Sequence, residues 1–242
     1  MSGKSMQPVL VDQPRHGVVR LRLNRPSRHN AINDELLARL RDAVEDSAGD
    51  PATRAIVLSS ATPGMFCAGA DLKVADVVRR QVSNHLYLLY QRMLSLPIPI
   101  LAALTGPAVG GGAQLAIASD VRVAEPGTWL RFVGPGHGLA VGAWGLPSLI
   151  GRGRALDLCL SGRRVDAQAA AASGLVDRIA EDAEAHALDL AAEFSALDPG
   201  AVARTKALIG AGLLAALESE AEGNRHWSGQ APASRATAGT DE

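Results

Sequence analysis

Two glycine-rich turns constrain this chain more than any other feature. Phe66-Cys67-Ala68-Gly69-Ala70-Asp71-Leu72-Lys73 reads as a loop running into a helix, and Gly106-Pro107-Ala108-Val109-Gly110-Gly111-Gly112 reads as the same device after a strand. Glycine permits close backbone approach and angles that other residues avoid. Free N–H groups at a helix start carry partial positive charge. Two of them aimed at one carbonyl oxygen make an oxyanion hole, in which losing a donor costs about 3 kcal/mol. Taken alone, either cluster also fits tight helix–strand packing.

The flanking segments alternate between strand and helix. Residues 18–23 interleave arginines with aliphatics, as a half-buried strand does. Asn24-Arg25-Pro26 breaks it, and Asn33 reads as an N-cap with Asp34 and Glu35 in the first turn. Leu36, Leu37, Leu40 and Val44 follow at helical spacing, and residues 55–58 form a short buried strand. A helix is expected over about 72–96, then a strand over 100–104, a small-residue helix from the triple glycine to about Ser119, and a strand over 120–124. Residues 126–153 read as a long irregular region. Helices are expected over 154–160 and 166–172, a strand over 176–179, and helices over 184–196, from Pro199 with Asp198 as cap, and on to about Glu222. This is an α/β pattern.

At 242 residues the chain fits one main α/β unit, and 47% hydrophobic residues supply a sizeable core. A net charge of −1 with no basic run beyond pairs such as Arg79–Arg80 and Arg163–Arg164 argues against a nucleic-acid partner. Cys67 and Cys159 stand far apart, outside any metal-ligand spacing, so neither a disulfide framework nor a metal site is expected. No signal peptide is evident at the N-terminus. No run reaches the roughly 18 apolar residues of a membrane span, so the chain reads as soluble and cytoplasmic.

The motifs taken in order resemble the crotonase superfamily, the enoyl-CoA hydratase/isomerase family. The resemblance rests on Leu23-Asn24-Arg25-Pro26, Asn30-Ala31-Ile32-Asn33, the two glycine turns, residues 118–124, Leu160-Ser161-Gly162, Ala169, Ala172 and Gly174-Leu175-Val176. It implies a ClpP/crotonase-like spiral of strand–strand–helix repeats over residues 1–197 and a C-terminal helical trimerisation region over 198–227; the small, polar composition of residues 228–242 reads as a disordered tail. It further implies an acyl-CoA or enoyl-CoA thioester as substrate or ligand in fatty-acid metabolism, no covalently bound cofactor, and assembly as a homotrimer or a dimer of trimers. Carried over by position, Ala70 and Gly111 would donate the two oxyanion amides. Arg28, His29, Ala68, Ala70, Asp71, Leu72, Lys73 and Gly110 would line the CoA. An arginine suits a phosphate, although Arg28 also fits a solvated loop charge.

The resemblance breaks where hydratases of the family carry two glutamates as acid and base. The first position is Gln114. The second falls on Gly134 by ungapped counting, and a third position used in some relatives falls on Gly142. Glutamine cannot exchange a proton near neutral pH, so ordinary two-glutamate hydration is expected to be impaired. Residues 138–144 resemble a subset of mycobacterial homologues that keep the fold, lack these glutamates and bind acyl-CoA without hydrating it. Three readings stay open: an enoyl-CoA hydratase/isomerase in the lyase class, a non-catalytic acyl-CoA carrier or regulator, and a different thioester reaction using His137. Histidine titrates near neutrality, but His137 also fits a structural loop residue. His85 reads as a partly buried helical histidine, Asp71 as a helix cap, Glu125 as a surface strand end, and Cys67 as a packing residue.

Overall fold

The computed structural model describes residues 7–228. The expected disordered tail lies outside the described residues except for Ser228. In chain order the first elements are β1 (Val9–Arg15), β2 (Val18–Leu23), α1 (Asp34–Gly49), β3 (Ala55–Ser60), α2 (Asp76–Ser95) and β4 (Ile100–Leu104). Then come β5 (Ala108–Val109), α3 (Gly111–Ala118), β6 (Val121–Ala124), β7 (Trp129–Arg131), α4 (Leu146–Ile150) and α5 (Arg152–Ser161). The last are β8 (Val165–Asp166), α6 (Ala167–Ser173), β9 (Arg178–Ile179), α7 (Ala183–Ser195), α8 (Pro199–Ile209) and α9 (Leu213–Gly223).

The larger sheet runs β1-β2-β3-β4-β6-β9, parallel except for the antiparallel β1–β2 pair. A smaller sheet runs β5-β7-β8. Alternate side chains on a strand point to opposite faces. On one face Val18, Val57, Leu101, Ala103 and Val123 pack against α7. Ala183, Ala187 and Ala191 line the facing side of that helix and are fully buried, so it lies close to the sheet. On the other face Leu21, Leu23, Ile56, Leu58, Ala102 and Leu104 meet α1, α2 and α3 in the main core. Both faces are covered, as parallel sheets require. This is the spiral α/β architecture that the resemblance implied.

Asn33 caps α1 by accepting from Leu36 N at 3.0 Å, and Asp198 caps α8 by accepting from Ala201 N at 2.7 Å. Three expectations need correction. Residues 126–153 are not wholly irregular: they hold β7, a 3-10 turn at Pro135–His137, and α4. The helix expected from Leu72 begins at Asp76, and Asp71 does not cap it. His85 is exposed rather than partly buried. Strand β1 had no counterpart in the sequence reading.

Candidate functional site

The two glycine turns lie side by side because their backbones pair. Phe66 N and Cys67 N donate to Pro107 O at 3.2 and 3.0 Å, and Val109 N donates to Cys67 O at 2.9 Å. The approach is too close for side chains. A Cβ on Gly69 (φ +88°) would lie 2.6 Å from Val109 O and 3.4 Å from Gly111 N. One on Gly112 would lie 2.5 Å from Cys67 O. Ile32 then fixes the first turn from the far side. Ile32 N donates to Gly69 O at 2.7 Å and Asp71 N donates to Ile32 O at 2.9 Å, which leaves the Ala70 N–H facing the other way. Gly111 opens α3, so its N–H has no partner within the helix. Among the described residues neither the Ala70 N–H nor the Gly111 N–H has an acceptor. The geometry therefore presents two adjacent free donors, from turns 41 residues apart in sequence.

The residues expected to line CoA gather beside this pair. Arg28 and His29 are exposed on a 3-10 turn, and His29 O accepts from Ala68 N at 3.0 Å. Leu72 and Lys73 are also exposed, and Gly110 N donates to Arg131 O at 2.8 Å. Asp71 is turned inward. Its carboxylate accepts from Lys73 N at 3.0 Å and pairs with Arg25 at 3.4 Å, so it holds a turn rather than a helix end. Asn30, fully buried at φ +55°, pins the loop. It accepts from Arg25 N at 2.7 Å and Thr62 Oγ1 at 3.0 Å, and donates to Ser60 Oγ at 2.8 Å and Phe66 O at 2.9 Å. All its hydrogen-bonding capacity is used, which offsets its desolvation.

Gln114 is buried one turn along α3 from Gly111. Its Oε1 accepts from Trp144 Nε1 at 2.9 Å and from Gly142 N at 3.3 Å. Gly134 has no room for a side chain: a Cβ there would lie 2.5 Å from Leu139 O and 2.7 Å from Val141 N. On Gly142 (φ +83°) a Cβ would lie 2.6 Å from the Phe132 ring. His137 is half-buried. Burial, with Arg79 and Arg131 nearby, lowers its pKa and favours the neutral ring. Its backbone oxygen accepts from Trp227 Nε1 at 2.7 Å. Cys67 is fully buried, and burial pushes its thiol up to about 12. Glu125 is half-buried, and burial with Asp182, Glu181 and Glu184 raises its pKa. No group of three or more His, Cys, Asp or Glu among the described residues is arranged to hold a metal ion.

The sequence reading missed the polar cluster behind Gln114. Glu220 of α9 is buried and accepts from Tyr87 Oη at 2.8 Å, Gly142 N at 3.2 Å and Trp144 N at 2.9 Å. Burial raises its pKa against these hydrogen bonds. Burial and the Glu220 charge together raise that of Tyr87. Asn224 Nδ2 donates to Tyr87 Oη at 2.7 Å. Tyr90 stacks with Trp144 at 6.5 Å between ring centres, and its hydroxyl donates to Gly111 O at 2.9 Å. One signal was available. Leu213, Leu217, Glu220 and Asn224 share one helical stripe, and polar residues on an otherwise apolar stripe imply buried partners.

Known proteins are similar to this chain in sequence and fold. A family model described as enoyl-CoA hydratase/isomerase matches residues 13–237. A protein of Mycobacterium leprae named "Probable enoyl-CoA hydratase echA6" is 37% identical over 199 residues, covering 80% of this chain and 79% of its own. The crystal structure of an enoyl-CoA hydratase/isomerase from Xanthobacter autotrophicus Py2 superposes with a TM-score of 0.85 at 29% identity, covering 94% of this chain and 90% of that one. That of a monofunctional enoyl CoA isomerase from M. smegmatis gives a TM-score of 0.74 at 30% identity, over 86% and 94% of the two chains. The chain belongs to the enoyl-CoA hydratase/isomerase family.

Proposed function

We propose that the protein binds an acyl-CoA or enoyl-CoA thioester with its carbonyl oxygen between the Ala70 and Gly111 N–H groups, and that ordinary two-glutamate hydration is impaired. The observation that carries this reading is the pair of adjacent free donors. Such donors strengthen as negative charge develops on the oxygen. Arg28, His29, Ala68, Asp71, Leu72, Lys73 and Gly110 border the pair and would take the CoA. Gln114 and Gly134 stand in this reading at the two acid/base positions. Gln114 cannot titrate, and its oxygen is already engaged by Trp144. The crowding around Gly134 supports a site that holds no second carboxylate there.

Two further readings remain within this proposal. A carrier or regulator role is favoured by the tied-down Gln114. A different thioester reaction would need His137, whose neutral ring is suited to accept a proton. Its test is His137→Ala, and unchanged product formation would remove it. Assembly as a trimer or dimer of trimers is supported by α8, which buries none of its residues and exposes Leu208 and Ile209 at 77% and 79%. Calorimetric titration with acyl-CoAs, run beside a hydration assay on crotonyl-CoA, separates the readings. Binding without turnover supports the carrier, turnover without a partner supports the enzyme, and no binding of any chain length overturns the thioester reading.

A further inference from the structure

The C-terminal helix reaches the acyl end of the site through a continuous polar line. Glu220, Asn224 and Trp227 succeed one another by four and three residues, and each grips the segment from His137 to Trp144. Glu220 accepts from Gly142 N at 3.2 Å and Trp144 N at 2.9 Å. Asn224 accepts from Ala140 N at 2.9 Å and donates to Ala140 O at 2.7 Å. Trp227 Nε1 donates to His137 O at 2.7 Å. Tyr87 of α2 closes the clamp, donating to Glu220 at 2.8 Å and accepting from Asn224 at 2.7 Å.

The clamped segment carries Trp144, whose indole reaches Gln114 and stacks on Tyr90. Tyr90 in turn holds Gly111 O. The Glu220 carboxyl is thus three contacts, through Trp144 and Tyr90, from Gly111, whose N–H is proposed to meet the thioester. Gln114 lies one helical turn beyond that N–H and Trp144 lies against it, so on the acyl-CoA reading both stand on the acyl side of the donor pair.

We propose that Glu220 is a positioning residue for the acyl half of the ligand. By holding Gly142 and Trp144 it sets the indole against Gln114 and Tyr90, and so determines which acyl chains fit. The CoA half, bordered by residues 28–29 and 68–73, is independent of it. This inference rests on the acyl-CoA reading. A Glu220→Gln variant keeps the side-chain shape but turns an NH2 toward backbone N–H donors, which breaks the clamp on one side.

The experiment is calorimetry of the full chain with unacylated CoA and with butanoyl-, octanoyl- and hexadecanoyl-CoA. Wild type, Glu220→Gln and Tyr87→Phe are compared, with circular dichroism confirming the fold. Tyr87→Phe keeps the ring and removes only the hydroxyl between Glu220 and Asn224, so it carries the test if Glu220→Gln does not fold. The expected result is CoA affinity within about twofold of wild type, while the ratio between the best and worst acyl chains changes by about tenfold. A general structural loss would weaken both halves alike and overturns the proposal. So does a wild-type chain-length profile in a folded variant. A wild type that binds no acyl-CoA instead overturns the thioester reading itself.

Discussion

Trp144 Nε1 donates to Gln114 Oε1 at 2.9 Å, one helical turn along α3 from Gly111. The bond gives a buried indole N–H its acceptor and a buried amide oxygen its donor, so each offsets the other's desolvation. It also fixes Gln114 in one orientation. An amide held in this way carries no titratable proton.

The first prediction concerns rescue. Under the proposed reading, Gln114→Glu introduces one titratable group, while Gly134 has no space for a second. General acid–base catalysis contributes about 10²–10⁴-fold per group. Crotonyl-CoA hydration by Gln114→Glu is expected to stay at the wild-type level in a spectrophotometric assay. A hundredfold rise would show that one carboxylate suffices here.

The glycine turns supply the second prediction. Gly112→Ala drives a Cβ to 2.5 Å from Cys67 O, a backbone atom that cannot rotate away. The expected cost is about 1–3 kcal/mol of stability, as for overpacking in a filled core. Gly127→Ala, where a Cβ meets nothing within 4 Å, is the control. Urea unfolding of the two variants checks the difference, and equal midpoints would contradict it.

Thiol chemistry tests the packing of the first turn. Burial lifts the Cys67 thiol to about 12 and that of Cys159 to about 11. Only the thiolate reacts. At pH 8 neither cysteine is expected to react with an aromatic disulfide reagent until the chain is unfolded, when both do. A fast-reacting thiol in the folded protein would mean that the turn opens.

Glu220 gives stability a pH dependence. Its carboxyl is held above the ordinary value of 4.5 by burial, so the folded chain binds the proton more tightly than the unfolded chain. The resulting stabilisation is fully present below the unfolded value and is lost as pH rises through the folded one. Glu220→Gln removes this term. The wild type should therefore gain stability relative to the variant as pH falls from 8 toward 5, measured by denaturant unfolding. A constant difference would contradict the buried acid.

Much of this was legible in sequence because glycine chemistry is local. Gly69 and Gly112 stand where no Cβ fits, and that need shows as composition. The Asn33 and Asp198 caps were legible for the same reason. Asp71 was misassigned because an Asx turn and an N-cap share one signature, a side-chain oxygen accepting from a backbone N–H two or three residues on. Strand β1 was missed because only its first residue is buried. Glu220 and Tyr87 were missed because their meeting depends on how α9 folds back over α2, across 133 residues of sequence. Nothing local encodes that return.

The central claim is that a thioester is held without two-glutamate hydration. The most direct test mixes the full chain with crotonyl-CoA and follows binding heat and enoyl absorbance on the same sample. The account predicts saturable binding with the absorbance unchanged. Turnover at rates typical of two-glutamate hydratases, abolished by Gln114→Ala, would contradict it.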